Sequence, residues 1–471
     1  MNFYNKTLFL DEFTPVSIYV KVKKIFKDEV TFLFESVVNS SDGNFSYIIV
    51  GARERVWHKD GKSFYKNENH KIEEIDKNPF NFLKNYYNNI DKELYKNKGD
   101  ELGIGLIDGF IGNMGYDMVS TFEPTLEKSM SGLKDELNIP DCDLIRPKMV
   151  LVYSHKSSKL TMVTSMQSME QYIDVIEKSL NEPFEHTPLK KATLLDEGEF
   201  AHTKEKFFDM IAQSKEMIKS GDVFQILMTN RYTQKAKVDN LSFYRMLRSK
   251  NPSPYLFLLE YEDFCIAGSS PEVMVRLTDN RILLRPIAGT RKRGKTVAKD
   301  KLMEHELIND PKEVAEHVML IDLGRNDVGR VAATGTVEVT DKMRVEKYSH
   351  VMHLVSDVEA NLDEKYDMFD LFASTFTAGT MTGAPKIRAM ELIANFEKLK
   401  RSFYSGSIAY FGFDGNMDSA ITIRTTMIKD NTVFFQSGAG IVADSIPELE
   451  FLEVNNKLAA NITTLQDLSE L

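Results

Sequence analysis

The chain has 471 residues, of which 42% are hydrophobic and 27% charged, a balance typical of a globular protein with a large buried core. Its 70 acidic residues outnumber the 59 lysines and arginines, and the net charge of -11 argues against nucleic acid or an anionic membrane as a partner. The two cysteines, Cys142 and Cys265, suggest neither a disulfide framework nor a zinc site and favour a reducing, cytoplasmic location. The N-terminal MNFYNKTLFLDEFTPVS has no long apolar stretch, so we expect neither a signal peptide nor a membrane span there.

Short β-type segments separated by turns are expected through residues 1–180, in runs such as FTPVSIYVKV, VTFLFESVV and FSYIIVGA. The Asn- and Lys-rich stretch 59–100 is predicted to be a surface excursion. The polar passage 181–191 contains two prolines and no periodicity, and we interpret it as a linker. These observations divide the chain into an N-terminal region, 1–190, and a C-terminal region, 191–471.

The C-terminal region mixes helical and strand patterns without regular alternation. Apolar residues recur at helical spacing from Phe207 to Ile218, and VFQILMTNRY then predicts a strand. From 403 to 442, the runs FYSGSIAYFGF, MDSAITIRTTMIK and TVFFQSGAGIV predict three antiparallel strands joined by tight turns. So many strands mixed with long helices predict an α+β architecture with large antiparallel sheets, and they argue against a doubly wound nucleotide fold.

An acidic helix is predicted in NDPKEVAEHVMLIDL. Asp310 is a good N-cap there, with Pro311 at the first helical position. Glu313 and Glu316 are three residues apart, so they share one face and can present carboxylates to one cation. Glu313 also fits the pattern of a capping box with Asp310, and the sequence leaves both readings open.

A second acidic helix begins in ADSIPELEFLEVNNKLAANI, where Ser445 and Glu448 are predicted to form a capping box. Glu450, Glu453 and Lys457 then fall on one face, a pattern that usually indicates a solvated charged surface. With the first helix, however, the chain offers four carboxylates and no Cys/His cluster. Such a set suits a hard divalent cation with oxygen ligands, magnesium rather than zinc.

Two glycine-rich turns could bind an anion through backbone amides. Gly379 and Gly383 bracket Thr380 just before a predicted helix, and SGAG at 437–440 lies at the end of a predicted strand. Tight turns or bulges would explain the same glycines equally well.

Two further polar residues have ambiguous patterns. Arg424 lies inside a predicted strand. Its side chain faces either solvent or a site in which the guanidinium binds a carboxylate through two hydrogen bonds. His353 lies in the β-like run SHVMHLVSDVEA, and a single histidine in a strand is more often structural than catalytic.

Five segments carry a family resemblance in a fixed order: PIAGTRKRG (286–294), KEVAEHVMLIDLGRNDVGRV (312–331), YSHVMHLVS (348–356), AGTMTGAPKIRAMELI (378–393) and QSGAGIVADSIPELE (436–450). Together they resemble the chorismate-utilising enzymes, and within them the component I chains of anthranilate synthases. The resemblance is dense after about residue 200 and thinner before. It implies the chorismate-utilising enzyme fold, an α/β sandwich of two large antiparallel sheets flanked by helices.

The resemblance also implies a site. It places magnesium ligands at Glu316 and Glu453, with Glu313 and Glu450 beside them. It implies catalytic roles for His353, Glu272 and Thr380. The substrate-binding positions that it implies are Ala288, Gly289, Thr290, Thr380, Tyr404, Arg424, Gly438, Ala439, Gly440 and Lys457. The magnesium ion would bind the ring carboxylate of chorismate and so hold the ring in place while the C4 hydroxyl leaves.

The reaction implied for such chains has two stages: ammonia attacks C2 with loss of the C4 hydroxyl, and pyruvate is then eliminated to give anthranilate. Family members that add water to chorismate carry a lysine where this chain has Gln225, which disfavours isochorismate and salicylate synthases. Ala288 stands where many aminodeoxychorismate synthases have lysine, but some of these have alanine. Aminodeoxychorismate synthase component I of the folate pathway therefore remains an alternative, as does a non-catalytic tryptophan-sensing paralogue.

LFES at 33–36 and NPSPYLF at 251–257 resemble elements that bind feedback tryptophan in anthranilate synthases, so we interpret 1–190 as a regulatory region interwoven with the core. Phe34 and Leu256 depart from that pattern. The implied tryptophan-binding residues are Phe34, Glu35, Ser36, Asn251, Pro252, Ser253, Tyr255, Ile408 and Tyr410. Strand alternation predicts that Tyr404, Ile408 and Tyr410 share one sheet face.

The nitrogen donor is expected to come from outside the chain. Neither Cys142 nor Cys265 lies in a glycine-flanked nucleophile turn, so the sequence contains no recognisable glutaminase. The resemblance accordingly implies a glutamine amidotransferase subunit, component II of the synthase, as the partner.

Overall fold

A computed structural model describes residues 2–36, 45–348 and 351–471. Its strands are β1 (Tyr4–Phe9), β2 (Thr31–Glu35), β3 (Phe45–Lys59), β4 (Lys62–Lys66), β5 (Ile72–Ile75), β6 (Gly109–Met114), β7 (Cys142–Ser154), β8 (Lys159–Thr164), β9 (Thr193–Leu194), β10 (Glu199–Phe200), β11 (Gln225–Lys237), β12 (Tyr255–Glu260), β13 (Cys265–Ser270), β14 (Val273–Thr278), β15 (Arg281–Leu284), β16 (Ile287–Lys292), β17 (Glu338–Lys347), β18 (Val351–Asn361), β19 (Gly383–Ala384), β20 (Ser407–Gly412), β21 (Met417–Ile421), β22 (Thr425–Lys429) and β23 (Thr432–Ile441).

The helices are α1 (Pro15–Ile25), α2 (Pro79–Tyr87), α3 (Lys92–Leu102), α4 (Val119–Phe122), α5 (Glu127–Met130), α6 (Gln167–Asn181), α7 (Lys204–Lys219), α8 (Asn240–Lys250), α9 (Val297–Asn309), α10 (Pro311–Gly329), α11 (Met368–Thr375), α12 (Lys386–Glu397) and α13 (Pro447–Glu470). A 3-10 turn, Gly379–Met381, precedes α12. In the ranges that the structure covers, no helix combines the length and the apolar character needed to cross a bilayer.

The strands form two antiparallel layers joined through β7. One ladder runs β1, β8, β7, β3, β2, β12, β13, β22, β23 and β11. The other runs from β7 through β6, β20, β21, β14 and β15 to β18, which also pairs with β16 and β17. The predicted α+β sandwich of large antiparallel sheets is confirmed.

Alternation along the strands sends neighbouring side chains into two different cores. Phe32 on β2 and Phe257 on β12 pack between the two sheets with residues of β6, β14 and β20. Leu33 and Leu258, one position along, point to the opposite face and pack under α6, α7, α8 and α13. Burying each such side chain contributes about 1.5–3 kcal/mol of transfer free energy, so a shift of register by one residue would be strongly disfavoured.

The N-terminal and C-terminal regions share these sheets. β2 pairs with β12, and β6 pairs with β20, so strands before residue 190 are hydrogen-bonded directly to strands after it. The expected linker, 181–191, follows α6 as irregular chain and leads to β9.

Three predictions about local structure are wrong. FTPVSIYVKV forms helix α1 rather than a strand, because Thr14 caps it, Pro15 occupies the first helical position, and the buried Ile18, Tyr19 and Val22 recur at helical spacing. The stretch 59–100 is not a surface excursion: it contributes α2 and α3, whose residues Phe80, Leu83 and Tyr95 are buried in the inter-sheet core. The run MDSAITIRTTMIK forms two strands, β21 and β22, instead of one.

Candidate active site

A bulge in β16 orients the imidazole of His353. The register with β18 shifts between Ala288 and Thr290, and Gly289 occupies the bulge at a φ of 64°, a left-handed conformation that glycine adopts without strain. His353 Nδ1 lies 2.9 Å from the Gly289 carbonyl oxygen and 3.1 Å from Thr290 Oγ1. Because a carbonyl only accepts, the proton of the neutral ring is assigned to Nδ1, which leaves a lone pair on Nε2.

The surroundings of His353 favour its neutral form. Burial lowers the pKa of the imidazole; the bond to the Gly289 carbonyl raises it in part, and the nearby Arg424 lowers it again. The ring is therefore equipped to accept a proton at Nε2 rather than to donate one.

Glu272 has the opposite tendency. Its carboxyl is buried, and burial raises its pKa to about 7 against the smaller opposing effects of the Thr380 hydroxyl, Arg424 and Lys457. Thr380 Oγ1 donates to Glu272 Oε1 over 3.1 Å. Near neutral pH the Glu272 carboxyl thus retains a proton that it can give to a leaving group.

Arg424 lies in the connection between β21 and β22 and not within a strand. Its φ of 49° is left-handed and breaks the predicted strand there, and its carbonyl accepts from Ser269 N at 3.2 Å. Burial lowers the pKa of the guanidinium, while the Glu272 carboxylate and Tyr348 raise it. The broken strand accordingly turns Arg424 inward to Glu272 and His353, which an uninterrupted alternating strand would not predict.

The two glutamates of helix α10, Glu313 and Glu316, have different hydrogen-bond partners. Asp310 caps the helix by accepting from the backbone N–H groups of Lys312 and Glu313. Glu313 does not complete a capping box: its Oε1 accepts from Arg291 Nη1 at 2.8 Å, while Arg291 Nη2 donates to Asp310 at 2.6 Å. The sequence had not assigned a role to Arg291, although it lies in the PIAGTRKRG segment.

Glu316 lies one turn further along α10 and contacts β11. Gln225 Nε2 donates to Glu316 Oε1 over 3.2 Å, and Gln225 Oε1 is buried without a hydrogen-bond partner. Burial raises the pKa of Glu316 most; the Gln225 bond lowers it, and Glu313 and Glu453 raise it further. Gln225, the position that the resemblance had used to disfavour water-adding enzymes, therefore lies beside a glutamate of α10.

Helix α13 supplies the second set of charges. Lys457 Nζ lies 2.7 Å from Glu453 Oε1 and donates to the Gly438 carbonyl over 2.9 Å. The predicted capping box of Ser445 is wrong: α13 begins after Ile446 without a side-chain cap, and Ser445 Oγ instead accepts from the Val442 N–H. Burial raises the pKa of Glu450, and a hydrogen bond from Ser445 lowers it.

The carboxylates of α10 and α13 do not form a complete metal site on their own. Across residues 2–36, 45–348 and 351–471, no three Asp, Glu, His or Cys side chains converge closely enough to hold a metal by themselves. Glu316 and Glu453, however, are within electrostatic range of each other, and the unpartnered Gln225 oxygen lies beside Glu316. Magnesium commonly takes one or two carboxylates and completes its octahedron with substrate oxygens and water. The donor set fits an ion held jointly with an anionic substrate.

The glycine-rich end of β23 lies close to β11. Ala439 pairs with Met228, and a Cβ atom on Gly440 would approach Gln225 Nε2 to 2.5 Å, so a side chain there would displace the Gln225 amide. Tyr404 hydrogen-bonds to Ser437 and to the Gly438 backbone. The glycine-rich segment 437–440 is thus contacted by both Tyr404 and Lys457.

The placement of Tyr404 also differs from the sequence prediction. Tyr404 is not on the strand with Ile408 and Tyr410, because β20 begins only at Ser407. It lies in a buried turn in which Ser402 and Ser405 have left-handed φ values. The shared-face prediction for Tyr404 is therefore wrong, whereas Ile408 and Tyr410 do share a face of β20.

Comparison with known proteins identifies the family. The sequence profile of a family described as chorismate binding enzyme matches residues 33–463. The chain belongs to the chorismate-binding enzyme family. Curated relatives include anthranilate synthase component 1 of Aquifex aeolicus, 39% identical over 98% of this chain and 94% of its own length. The protein of the same name from Thermus thermophilus is 38% identical over 98% and 97%.

Solved structures of this family share the fold. Anthranilate synthase component I from Streptococcus pneumoniae superposes with a TM-score of 0.76 at 30% identity, covering 91% of this chain and 94% of that one. The menaquinone-specific isochorismate synthase from Escherichia coli gives a TM-score of 0.73 at 18% identity, covering 98% and 94%, and supports the fold alone.

A cavity of about 580 Å³ lies between the sheets. Glu272 and the glutamates of α10 and α13 described above are not among its lining residues. It includes six of the nine residues expected to bind tryptophan: Phe34, Glu35, Ser36, Tyr255, Ile408 and Tyr410. Asn251, Pro252 and Ser253 precede β12 and are not among its lining residues, whereas the next residue, Pro254, is. At one end, Glu35 is paired with Arg248 at 3.0 Å, and burial raises the pKa of its carboxyl.

Proposed function

We propose that this chain is the chorismate-converting large component of an anthranilate synthase, a lyase of tryptophan biosynthesis. The observation that carries the proposal is the 38–39% identity to anthranilate synthase component 1 chains over nearly the full length. Gln225 beside Glu316 supports the same conclusion, since the lysine base of water-adding relatives is missing. The two buried, unpaired cysteines are in keeping with a cytoplasmic protein.

The first stage replaces the C4 hydroxyl of chorismate by an amino group at C2. Ammonia forms the C2–N bond, the ring double bonds shift, and the C4–O bond breaks as Glu272 donates its proton to the departing oxygen, which leaves as water. The ammonium formed at C2 releases one proton to solvent to give the amino group. Thr380 holds the Glu272 carboxyl through the hydrogen bond to Oε1. Arg424 and Lys457 provide positive charge for the substrate's carboxylates.

The second stage eliminates pyruvate. The C2 proton is removed, the C3–O bond breaks, and the enolpyruvyl group takes up a proton to leave as pyruvate while the ring becomes aromatic. The Glu272 carboxylate left by the first stage and the lone pair on His353 Nε2 both provide proton acceptors. The bulge at Gly289 stabilises the tautomer that leaves Nε2 free.

A magnesium ion is expected as the cofactor. Glu316 and Glu453 would hold it, with Glu313 and Glu450 beside them, and the bound ion would neutralise and orient the ring carboxylate of chorismate.

Product analysis tests the reaction. The purified chain is incubated with chorismate, Mg²⁺ and an ammonium salt at alkaline pH, and the product is separated and identified. We expect anthranilate and pyruvate in equal amounts. Accumulation of an amino-substituted chorismate that retains its enolpyruvyl group would instead identify an aminodeoxychorismate synthase, and absence of turnover would favour a non-catalytic paralogue.

The large cavity is proposed to bind L-tryptophan as a feedback inhibitor. Its aromatic wall, including Phe34, Tyr47 and Tyr410, suits an indole, and the Glu35 carboxylate offers a partner for an ammonium group. Calorimetric titration with tryptophan, with and without magnesium and a chorismate analogue, measures the coupling. We expect mutual antagonism of about 1–3 kcal/mol. Equal affinity under both conditions would contradict it.

A further inference from the structure

The large cavity and the catalytic pocket have a common wall. A small cavity of about 30 Å³ lies against Glu272 and Thr380 in the catalytic pocket. Val273 and Arg285 line both this cavity and the large one. Val273 directly follows Glu272, so the partition between the two spaces is only one residue deep at this point.

Tyr348 belongs to the same partition. Its side chain lines the large cavity, and its ring centroid lies 5.7 Å from that of His353 with an interplanar angle of 63°. The edge-to-face arrangement means that the Tyr348 ring contacts the imidazole directly. One side chain therefore borders a space remote from the chemistry and also a proposed catalytic base.

A chain of charged groups connects the Tyr348 hydroxyl to Arg285. Its hydroxyl donates to Glu346 over 2.8 Å, and Glu346 accepts from Arg344 at 2.7 Å. Arg344 also contacts Asp357 at 3.1 Å, and Asp357 accepts from Arg285 at 2.7 Å. The tyrosine is consequently tied to Arg285, the residue that lines both cavities.

We propose that Tyr348 is a positioning residue for His353 and that it transmits occupancy of the large cavity to the catalytic pocket. On one side His353 is held at Nδ1 by the Gly289 carbonyl, and on the other it packs against Tyr348. A ligand in the cavity contacts Tyr348 and selects one arrangement of its ring, which changes the orientation of the imidazole. This inference rests on the proposed roles of the cavity and of His353.

Thermodynamic linkage makes the effect reciprocal. A substrate that requires the productive orientation of His353 favours the corresponding position of Tyr348, and so disfavours the ligand that selects the other one. Tyr348 therefore supplies a direct contact route for antagonism between the two sites.

A spectroscopic experiment tests the positioning role without relying on activity. The full chain is labelled with ¹³C at histidine Cε1, and the His353 signal is assigned with His353→Gln. Ligand-free Tyr348→Leu should show a displaced His353 signal, and Tyr348→Phe should restore the wild-type signal because it retains the ring. The exposed His186 serves as an internal reference. A His353 signal in Tyr348→Leu that coincides with wild type would overturn the proposal.

Titration and kinetics complete the test. L-Tryptophan should shift the His353 signal of wild type and of Tyr348→Phe, but not that of Tyr348→Leu. Calorimetry should detect tryptophan binding to all three proteins. Turnover of Tyr348→Leu should fall about 10- to 100-fold with a nearly unchanged KM for chorismate, whereas Tyr348→Phe stays near wild type. An equal tryptophan-induced shift in Tyr348→Leu would contradict transmission.

The failures are distinguishable. If wild type makes no anthranilate, the proposed reaction fails while the ligand-free spectra still decide the positioning role. If tryptophan does not bind wild type, the inhibitor assignment and the transmission both fail, and the spectra again decide whether Tyr348 orients His353.

Discussion

Glu272 and His353 both lie near Arg424, and burial raises the pKa of Glu272 but lowers the pKa of His353. Burial disfavours the charged form of each group, so the carboxyl keeps its proton and the imidazole remains neutral. A neutral acid and a neutral base are thereby available together near pH 7, where a glutamate in water would be ionised and only about three quarters of a histidine population would be neutral. The hydrogen bonds from Thr380 and to Gly289 then set the orientation of each group.

Glu272 should make stability and activity depend on pH. Its pKa is raised by burial from 4.5 to about 7. Below 4.5 both folded and unfolded chains hold the proton; between 4.5 and 7 only the folded chain does, so its contribution to stability falls by about 3 kcal/mol and is constant above 7. Relative to Glu272→Gln, wild type should therefore lose thermal stability from pH 5 to 7.5 and no further.

Activity should follow the same titration. At a fixed concentration of free ammonia, kcat/KM for chorismate should decline in wild type as the pH rises through about 7, because the acid form of Glu272 is lost. The decline should be absent from the residual activity of Glu272→Gln. Identical pH profiles for the two proteins would show that Glu272 is not the proton donor.

The acidic residues of α10 and α13 provide a test of the proposed magnesium site. Glu316→Gln and Glu453→Gln should each lower kcat/KM by roughly 100-fold or more, equivalent to about 2.7 kcal/mol, because a hard cation loses an anionic ligand. Melting temperatures should change little. Activity is measured across a magnesium titration. Glu448→Gln is the matched control, because Glu448 is an exposed residue of α13, the helix that carries Glu453. Near wild-type turnover in both variants would remove the metal assignment.

At the scale of elements, the end of α12 and the turn before β20 are held by a buried ion pair. Arg401 and Glu397 form this pair at 2.7 Å, and Arg401 also donates to the carbonyls of Met381 and Leu227, each at 2.8 Å. Three segments that border the pocket thus meet at one guanidinium. Its position explains how the Tyr404 turn can be irregular and still be well packed.

Arg401→Met should be strongly destabilising, because it leaves the Glu397 carboxylate buried without its partner. The expected loss is about 3–5 kcal/mol in the free energy of unfolding, measured by denaturant titration. Arg388→Met is the control: the Arg388–Glu391 pair is 41% and 30% exposed, and its loss should cost about 1 kcal/mol or less. Similar losses for the two variants would contradict the structural role assigned to Arg401.

The segment after β2 offers a test of the inhibitor cavity. Ser36 lines the cavity, and Ser36→Arg should occupy part of the space with a bulky charged side chain. Tryptophan inhibition should weaken by at least about tenfold, corresponding to 1.4 kcal/mol of binding, with turnover in its absence reduced less than about twofold. Unchanged inhibition would place the inhibitor elsewhere.

At the scale of the whole molecule, two sheets interleave the N-terminal and C-terminal regions. The β2–β12 and β6–β20 pairings mean that strands beside the large cavity from the two regions are hydrogen-bonded directly to each other. The cavity and the active site are therefore parts of one packed structure and not of two separate domains joined by a linker.

The source of nitrogen is the prediction for the whole chain. The purified protein should form anthranilate from ammonium and ignore glutamine, because no glutaminase nucleophile is recognisable in the sequence. Addition of a separate glutamine amidotransferase component should enable the use of glutamine. Product formation is followed with each nitrogen source, with and without the second component. Glutamine-dependent activity from the chain alone would show that it carries an amidotransferase site.

Much of the architecture could be predicted from the sequence. The helix α7, the strand β11 and the Asp310 cap of α10 follow from local periodicity and capping chemistry, which depend on residues close in the chain. The failures have physical causes of the same scale or larger. In α1, capping and a buried helical face overrode β-propensity, and in 59–100 polar composition concealed side chains that pack into the core.

The sequence by itself determined the family, the α+β class and the two acidic helices, because these depend on motif order and on the spacing of residues within single elements. Only the tertiary structure decided the partners and protonation of the site. Glu272 meets Thr380 across 108 residues and Gln225 meets Glu316 across 91, and such long-range contacts have no local pattern. Burial, which raises the pKa of Glu272 and lowers that of His353, is likewise a property of the packed molecule and not of any segment.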